Sequence, residues 1–270
     1  MLIVDIKVAF FNVKQIYFAE EPFDLKKCDM ADFVFCTKRV DLKGFKRTEQ
    51  LTSIIDLTKN IDAIWDGFGK RSCQQTIRRG ERAGIKVVKS KDFGSFYNVY
   101  NQFAKRKGIR PFLGLLDIQK DTLRKYGTLF LAYDGNDVLG GHVYLEDKDH
   151  ILGWFNASRR LEVESSKASL IGMANRMMHW EAIKYAKDKG LKEFDWGGLW
   201  VDEEAERDPV KKSINFFKLS FGGDKAMRYS YEKIYSTKYL AAQYAYGNST
   251  KILQMLISNR KNDKLRKLDA

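Results

Sequence analysis

Apolar and polar positions alternate with a period of two along much of the first 58 residues, most clearly in DFVFCTK (from Asp32) and LTSIIDL (from Leu51), which predicts half-buried strands. From about Asp62 the pattern turns helical, runs through WDGFGKRSCQQTIRRGERAG, and ends at Gly84, a residue suited to a helix C-cap. IKVVK predicts a short strand. In the following DFGSFYNVYNQFAKRKG, Phe93, Phe96, Tyr100, Phe103 and Ala104 fall on one helical face, and another helix runs to Tyr126. GTLFLAYD, DVLGGHVYLED and DHILGWFNAS predict an antiparallel meander, turning at Gly135-Asn136 and at Lys148-Asp149. A long helix over about Ser166 to Lys189 buries Ile171, Ala174, Met178, Ala182 and Tyr185 and stops at Gly190. Strand LKEFDW, a helix at NFFKLSF, strand AMRYSYEKIY and a basic helical tail from Lys238 complete the chain. The expected class is α/β, with an α+β mixed sheet, a first lobe over residues 1–85 and a second over 86–270.

Chemistry concentrates at two runs. FDWGGLW (Phe194–Trp200) carries Asp195 at a strand end into a glycine turn, and NFFKLSFGG (Asn215–Gly223) brings Phe217 and Lys218 back toward it. Glycines admit close backbone approach, and ligands of open α/β sheets bind beyond strand ends, so an acid, a cation and aromatic walls are expected to meet there. Lys218 sits among Phe216, Phe217 and Leu219 and is the first candidate to stabilise an oxyanion or a donor phosphate. Asp195 is expected to hold the turn amides or orient an ammonium, with direct proton transfer as the alternative. His142 shares a strand face with Tyr144 and Glu146 and is a candidate base, whereas His150 and His179 read as spread apart, without metal spacing.

Composition bounds the rest. At 270 residues, 44% hydrophobic and 13% aromatic, the chain reads as a packed globular protein. No apolar run approaches the roughly 20 residues of a membrane span, and three cysteines without metal spacing are expected as reduced thiols in a cytoplasmic protein. The formal charge of +13 favours polyanionic partners: nucleic acid, nucleotide-linked donors or an anionic membrane. Arg78 and Arg82, one helical turn apart, could clamp a diphosphate, the alternative being a solvated basic face. Ser165, Ser166 and Ser169 open the long helix, where free amides and hydroxyls bind phosphate or carboxylate, or simply cap the helix. The acidic run Asp202, Glu203, Glu204, Glu206 and Asp208 reads as solvated. The tail, with Ile252, Leu253, Leu256 and Ile257, is expected to pack on the domain, with peripheral contact to an anionic lipid surface as the lesser use.

The order of elements from residue 127 to 235 resembles the GNAT acyltransferase superfamily. WFNAS, WEAIKYAKDKG, FDWGG and FFKLSFGG, with KRSCQQTIRRGERAG ahead of them, resemble the catalytic half of its Fem-like family, which builds peptidoglycan interpeptide bridges. The resemblance implies a GNAT-like acyltransferase fold of Fem type with a trimmed first lobe and no long coiled-coil arm. It also implies no required cofactor or metal, and transfer of an activated aminoacyl or acyl group to an amine of a cell-envelope-type precursor. Asn156 of WFNAS and Trp196 of FDWGG join Phe217 as expected substrate contacts. The favoured donor is aminoacyl-tRNA, because the Arg/Gln-x-x-Gly-x-Gly/Ala loop usual for CoA is missing before the long helix. The acceptor is a small-molecule or lipid-linked amine, met in the cytoplasm or at the inner membrane surface. Two further readings remain at this stage: an acyl-CoA-dependent N-acyltransferase on an amino sugar or amino acid, and a non-catalytic nucleic-acid-binding module.

Overall fold

The computed structural model describes residues 1–8, 10–25, 27–107, 117–161, 163–201 and 207–245. The acidic positions Asp202, Glu203, Glu204 and Glu206 and the tail positions Ile252, Leu253, Leu256 and Ile257 lie outside them.

Among the described residues, ten strands form one mixed sheet. They are β1 (Leu2–Val8), β2 (Phe11–Tyr17), β3 (Met30–Cys36), β4 (Lys46–Asp56), β5 (Lys86–Ser90), β6 (Gly127–Asp134), β7 (Asp137–Glu146), β8 (His150–Ser158), β9 (Glu193–Gly198) and β10 (Asp224–Ile234). Their order is β1-β2-β3-β10-β4-β9-β8-β7-β6-β5. Pairing is parallel at β2/β3 and β8/β9 and antiparallel elsewhere. β10 lies between β3 and β4, so strands from the two halves of the chain interleave.

The helices are α1 (Ile61–Asp66), α2 (Gln75–Arg82), α3 (Phe93–Lys107), α4 (Asp117–Tyr126), α5 (Ser165–Asp188) and α6 (Pro209–Leu219). The expected single helix from Asp62 to Gly84 is broken. α1 ends at Gly67, and one wide turn (Lys70–Gln74) re-enters α2 after Gly69. The break is held by contact: the Gly69 N–H donates to Ser220 O at 2.8 Å, at the turn that follows α6. Gly84 and Gly190 take positive φ (78° and 80°) and stop α2 and α5 as their sequences predict.

α5 joins the parallel pair β8 and β9 and lies with α2 on one face of the sheet. There Ile171, Ala174, Met178 and Ala182 pack with Phe130, Tyr144 and Phe194. α3 covers the other face, with Phe93 and Phe96 against Leu129, Leu131 and Val143. The sheet coils so that Val4 and Tyr17 of the first strands meet Leu145 and Leu152 of β7 and β8. Such coiling follows from the right-handed twist of the strands, and it encloses space on the face away from α5.

Candidate functional site

β8 and β9 pair over only three positions, His150↔Glu193, Ile151↔Phe194 and Leu152↔Asp195. Beyond these the strands separate, and a cavity of about 300 Å³ opens at the split. Its walls come from Gly153, Asn156 and Ser158 of β8, Trp196 of β9, and facing side chains of α5 and α6. Splayed parallel strands leave backbone groups without ladder partners, so the gap is polar as well as roomy.

Lys218 reaches this cavity from α6, and its Nζ donates to Gly198 O at 2.7 Å. Asp208 sets the start of that helix, accepting from Val210 N (2.8 Å) ahead of Pro209, a favoured first-turn residue. Asn215, one turn before Lys218, exchanges two hydrogen bonds with the Trp200 backbone (3.0 and 2.6 Å). Residues three apart share a helix face, so Asn215 and Lys218 together clamp the Gly198–Trp200 turn. Burial lowers the Lys218 pKa, and nearby Asp195 partly opposes the shift.

Asp195 does hold the turn. Its Oδ1 accepts from the Gly197 N–H at 2.7 Å and from the Thr52 hydroxyl, which also bonds Gly197 O at 2.9 Å. Gly197 has φ +69°, a conformation that favours glycine, and the β4/β9 register shifts between Thr52 and Ile54 opposite it. Burial raises the Asp195 pKa against those bonds and the Arg228 guanidinium.

His142, Tyr144 and Glu146 share the α5 face as their alternation predicts. Glu146 Oε1 accepts from Tyr185 and Lys189 there, and the Tyr144 hydroxyl lies 2.7 Å from His179 Nδ1 and 3.4 Å from His142 Nδ1. His179, expected apart from the other histidines, instead packs its ring 4.3 Å from that of His142, because α5 crosses β7 at this point. Burial drives the His142 pKa down to about 3 and that of His179 well below its ordinary value. Imidazoles that burial holds below their ordinary value are neutral hydrogen-bonding groups, poorly matched as acceptors to an ammonium near ~10.4.

Phe217, Trp196 and Asn156 line the cavity with Lys218, Asp195 and His142, and Asn156 pairs with His142 in the β7/β8 ladder. Arg78 and Arg82 do not line it. Arg78 lies over the Trp65 ring at 5.5 Å, and Arg82 donates to Arg78 O at 3.3 Å on the outer face of α2. Ser166 and Ser169 are exposed on the first turns of α5, whose N-cap is Glu164. The cavity also contains Arg160, Asn175 and Arg176, which were not anticipated. Their signal was present: Asn175, Arg176 and His179 form a polar line at helical spacing inside an otherwise apolar helix. Arg176 stacks on Phe217 at 4.8 Å. Arg160, Arg176 and Lys218 against Asp195 make the cavity cationic.

Among the described residues no group of three or more His, Cys, Asp or Glu could hold a metal ion, and no helix is long and apolar enough to cross a membrane. Cys28, Cys36 and Cys73 are unpaired.

No curated protein sequence matches the chain. Among solved structures, FemX superimposes with a TM-score of 0.59 at 14% identity, over 86% of this chain and 83% of its own. The C-terminal domain of a protein assigned as a lysylphosphatidylglycerol synthetase, from Agrobacterium fabrum, superimposes with a TM-score of 0.52 at 13% identity, over 80% and 72%. Identities this low speak for a shared fold. The family model of an acetyltransferase (GNAT) domain matches residues 69–207, just over half of the chain, and spans the split strands and α5. The chain belongs to this GNAT acetyltransferase-domain family, and it is an acyltransferase with a Fem-like fold.

Proposed function

We propose that the protein forms an amide by moving an activated aminoacyl group, with aminoacyl-tRNA as the favoured donor, to an amine of a cell-envelope-type precursor. The observation that carries this reading is the cationic cavity at the β8/β9 split, where Lys218 lies half-enclosed beside Arg160 and Arg176. The acceptor amine, once neutral, attacks the ester carbonyl carbon. The C–N bond forms, negative charge gathers on the carbonyl oxygen, and the C–O bond to the donor's ribose then breaks. The amine proton leaves with that oxygen. Lys218, already fixed by Gly198 O, is a preorganised cation for the oxyanion, and such groups contribute most where water is excluded. His142 and Tyr144 supply neutral hydrogen bonds on the wall opposite.

The net charge of +13 and the three cavity cations support a polyanionic donor. The lipid-linked product named for the Agrobacterium fabrum protein supports an acceptor held at a membrane surface, which the chain would meet from the cytoplasmic side. A second reading, an acyl-CoA-dependent N-acyltransferase on an amino sugar or amino acid, is favoured by the acetyltransferase description of the matching family. Membership of that family supports an enzyme over a nucleic-acid-binding module. The test is a thermal-shift titration with charged tRNA and, separately, CoA and acetyl-CoA. Stabilisation by charged tRNA alone, weakened by salt, is expected. Stabilisation by CoA alone would overturn the aminoacyl-tRNA donor.

A further inference from the structure

Arg160 and Arg176 share one wall of the cavity at the β8/β9 split, with Gly172 of α5 between them. Arg176 Nη1 donates to Gly172 O at 3.4 Å, and a Cβ on Gly172 would stand 3.9 Å from Arg160 Nη1. The bare glycine lets both guanidinium groups crowd one turn of α5. Arg176 is half-buried, and one face of its guanidinium is taken by the Phe217 ring. Like charges so placed repel, yet among the described residues no carboxylate pairs with either arginine. Burial and the Arg160 charge both lower the Arg176 pKa.

Hydrogen bonding on this cavity is as unbalanced as its charge. Among the described residues, Arg176 Nε and Trp196 Nε1 find no acceptor, although Trp196 is only 6% exposed. Buried donors left unpaired are rare in folded proteins. Asn175 Oδ1, on the adjoining residue, is an unpaired acceptor. A second cavity, of about 560 Å³, lies in the coil of the sheet on the face away from α5 and makes the contrast. It meets the first where β8 and β9 part: Leu152 lines it, Gly153 lines the first, and Asp195 lines both. Its acids have cations of their own. Glu20 pairs with Lys38, Asp149 with Lys192, and Glu193 and Asp195 with Arg228. That side is balanced within the chain, and the wall of Arg160 and Arg176 is not.

Net charge draws a polyanion from a distance, whereas two guanidinium forks on a cavity wall read a group in contact. The fork matches the two oxygens of a carboxylate. At about 300 Å³ the cavity stands at the lower end of ligand sites, a better match to an acyl group than to a nucleotide. Resting on the acyl-transfer reading above, we infer that Arg160 and Arg176 form a carboxylate subsite, and that the transferred group is an acyl unit ending in an acid. Its reacting carbonyl lies at Lys218, and its far carboxylate reaches the two guanidinium groups beyond the Phe217 ring. Asn175 Oδ1 is the acceptor left for an amino group of that unit, as an acidic aminoacyl group presents.

Calorimetric titration of the intact protein with glutarate tests the inference, with glutaramide, inorganic phosphate and 6-aminohexanoate for comparison. Glutarate is expected to bind, and glutaramide, alike in shape but uncharged, about 10-fold more weakly or worse. The Kd for glutarate should rise roughly 3-fold in Arg160→Gln, the exposed member of the pair. It should rise about 10-fold or more in Arg176→Lys, which keeps the charge and loses the fork. Arg78→Gln, on the outer face of α2, should leave it unchanged. Phosphate binding more tightly than glutarate would give the wall to the donor's phosphates, and 6-aminohexanoate binding more tightly would give it to the acceptor. Either result overturns the inference, as does absent binding or binding indifferent to Arg160, and each leaves the transferase reading intact. Glutarate binding as expected, in a protein inert with every donor, would instead keep the subsite and sink the proposed reaction.

Discussion

Two cavities of opposite character stand back to back across the parting of β8 and β9. One is walled by Arg160, Arg176 and Lys218, the other by Glu20, Glu21, Asp149 and Glu193, and Asp195 belongs to both. The difference lies in which face of the same strands each uses. On β9 the residues pointing to α5 are aromatic and the residues pointing away are acidic, so a period-two pattern has been turned into a charge separation across one sheet. On the proposed reading, a polyanionic donor would be drawn to the side of Arg160, Arg176 and Lys218 and turned away from the acidic one. Repulsion of that donor from the acidic side would be specificity obtained by exclusion.

The sharpest way to break this comparison is at Lys218. Lys218→Ala should lower kcat by about 10²–10³-fold, the usual effect of removing one oxyanion donor, while circular dichroism and thermal midpoint stay close to those of the parent. An unchanged kcat would remove Lys218 from the chemistry. At Asp195 two duties separate. Asp195→Ala should cost about 1–3 kcal/mol of stability in denaturant titrations, because the buried Gly197 N–H loses its acceptor and the Thr52 hydroxyl keeps only Gly197 O. Asp195→Asn keeps that acceptor and should unfold near the parent midpoint, yet raise KM for the amine. Equal damage from both variants would reduce Asp195 to a turn-holding residue.

The histidine pair gives a third, pH-dependent prediction. His142 is pushed from 6.5 to about 3 on folding. Between those values the unfolded chain binds the proton and the folded chain does not, so stability falls as pH drops from 6.5 toward 3. His142→Gln should flatten that acid limb by about one proton in urea titrations taken across the window. An unaltered slope would show that His142 titrates normally in the fold. The smallest effect belongs to Tyr144→Phe, which removes the hydroxyl shared by His142 and His179 and should cost roughly 1–2 kcal/mol. A neutral result in thermal unfolding would show that the two imidazoles orient each other without it.

Much of this was legible in the residues. The meander of β6, β7 and β8, the length of α5 and its stop at Gly190 are local patterns, and local patterns survive folding. The convergence of Asp195, Phe217 and Lys218 was legible because both runs flank a single strand end. Four things were not. The break at Gly67–Gly69 depends on a hydrogen bond to Ser220, which no window around residue 68 contains. The meeting of His142 and His179 depends on how α5 crosses β7. Arg78 and Arg82 were correctly placed one turn apart, but which way their helix faces is decided by α2 packing its other side on α5 through Ile77 and Gly80. The second cavity was hidden for the same reason, since its walls come from the segment after β2 and from β3, β8, β9 and β10, and close only when the sheet coils.

The place of β10 has a consequence for how the chain is made. β4 is complete at Asp56, but its neighbour β10 begins at Asp224, and β1–β3 join the sheet only through that strand. At about 5–20 residues per second a ribosome needs on the order of ten seconds or more to supply it. Through that interval the edges of β3 and β4 stand open on the nascent chain, each a template for the wrong partner. A chain stopped before Asp224 would lack the strand that joins its two halves. Its early strands would be expected to seek pairing elsewhere, so the last strand of the sheet acts as the checkpoint for the first.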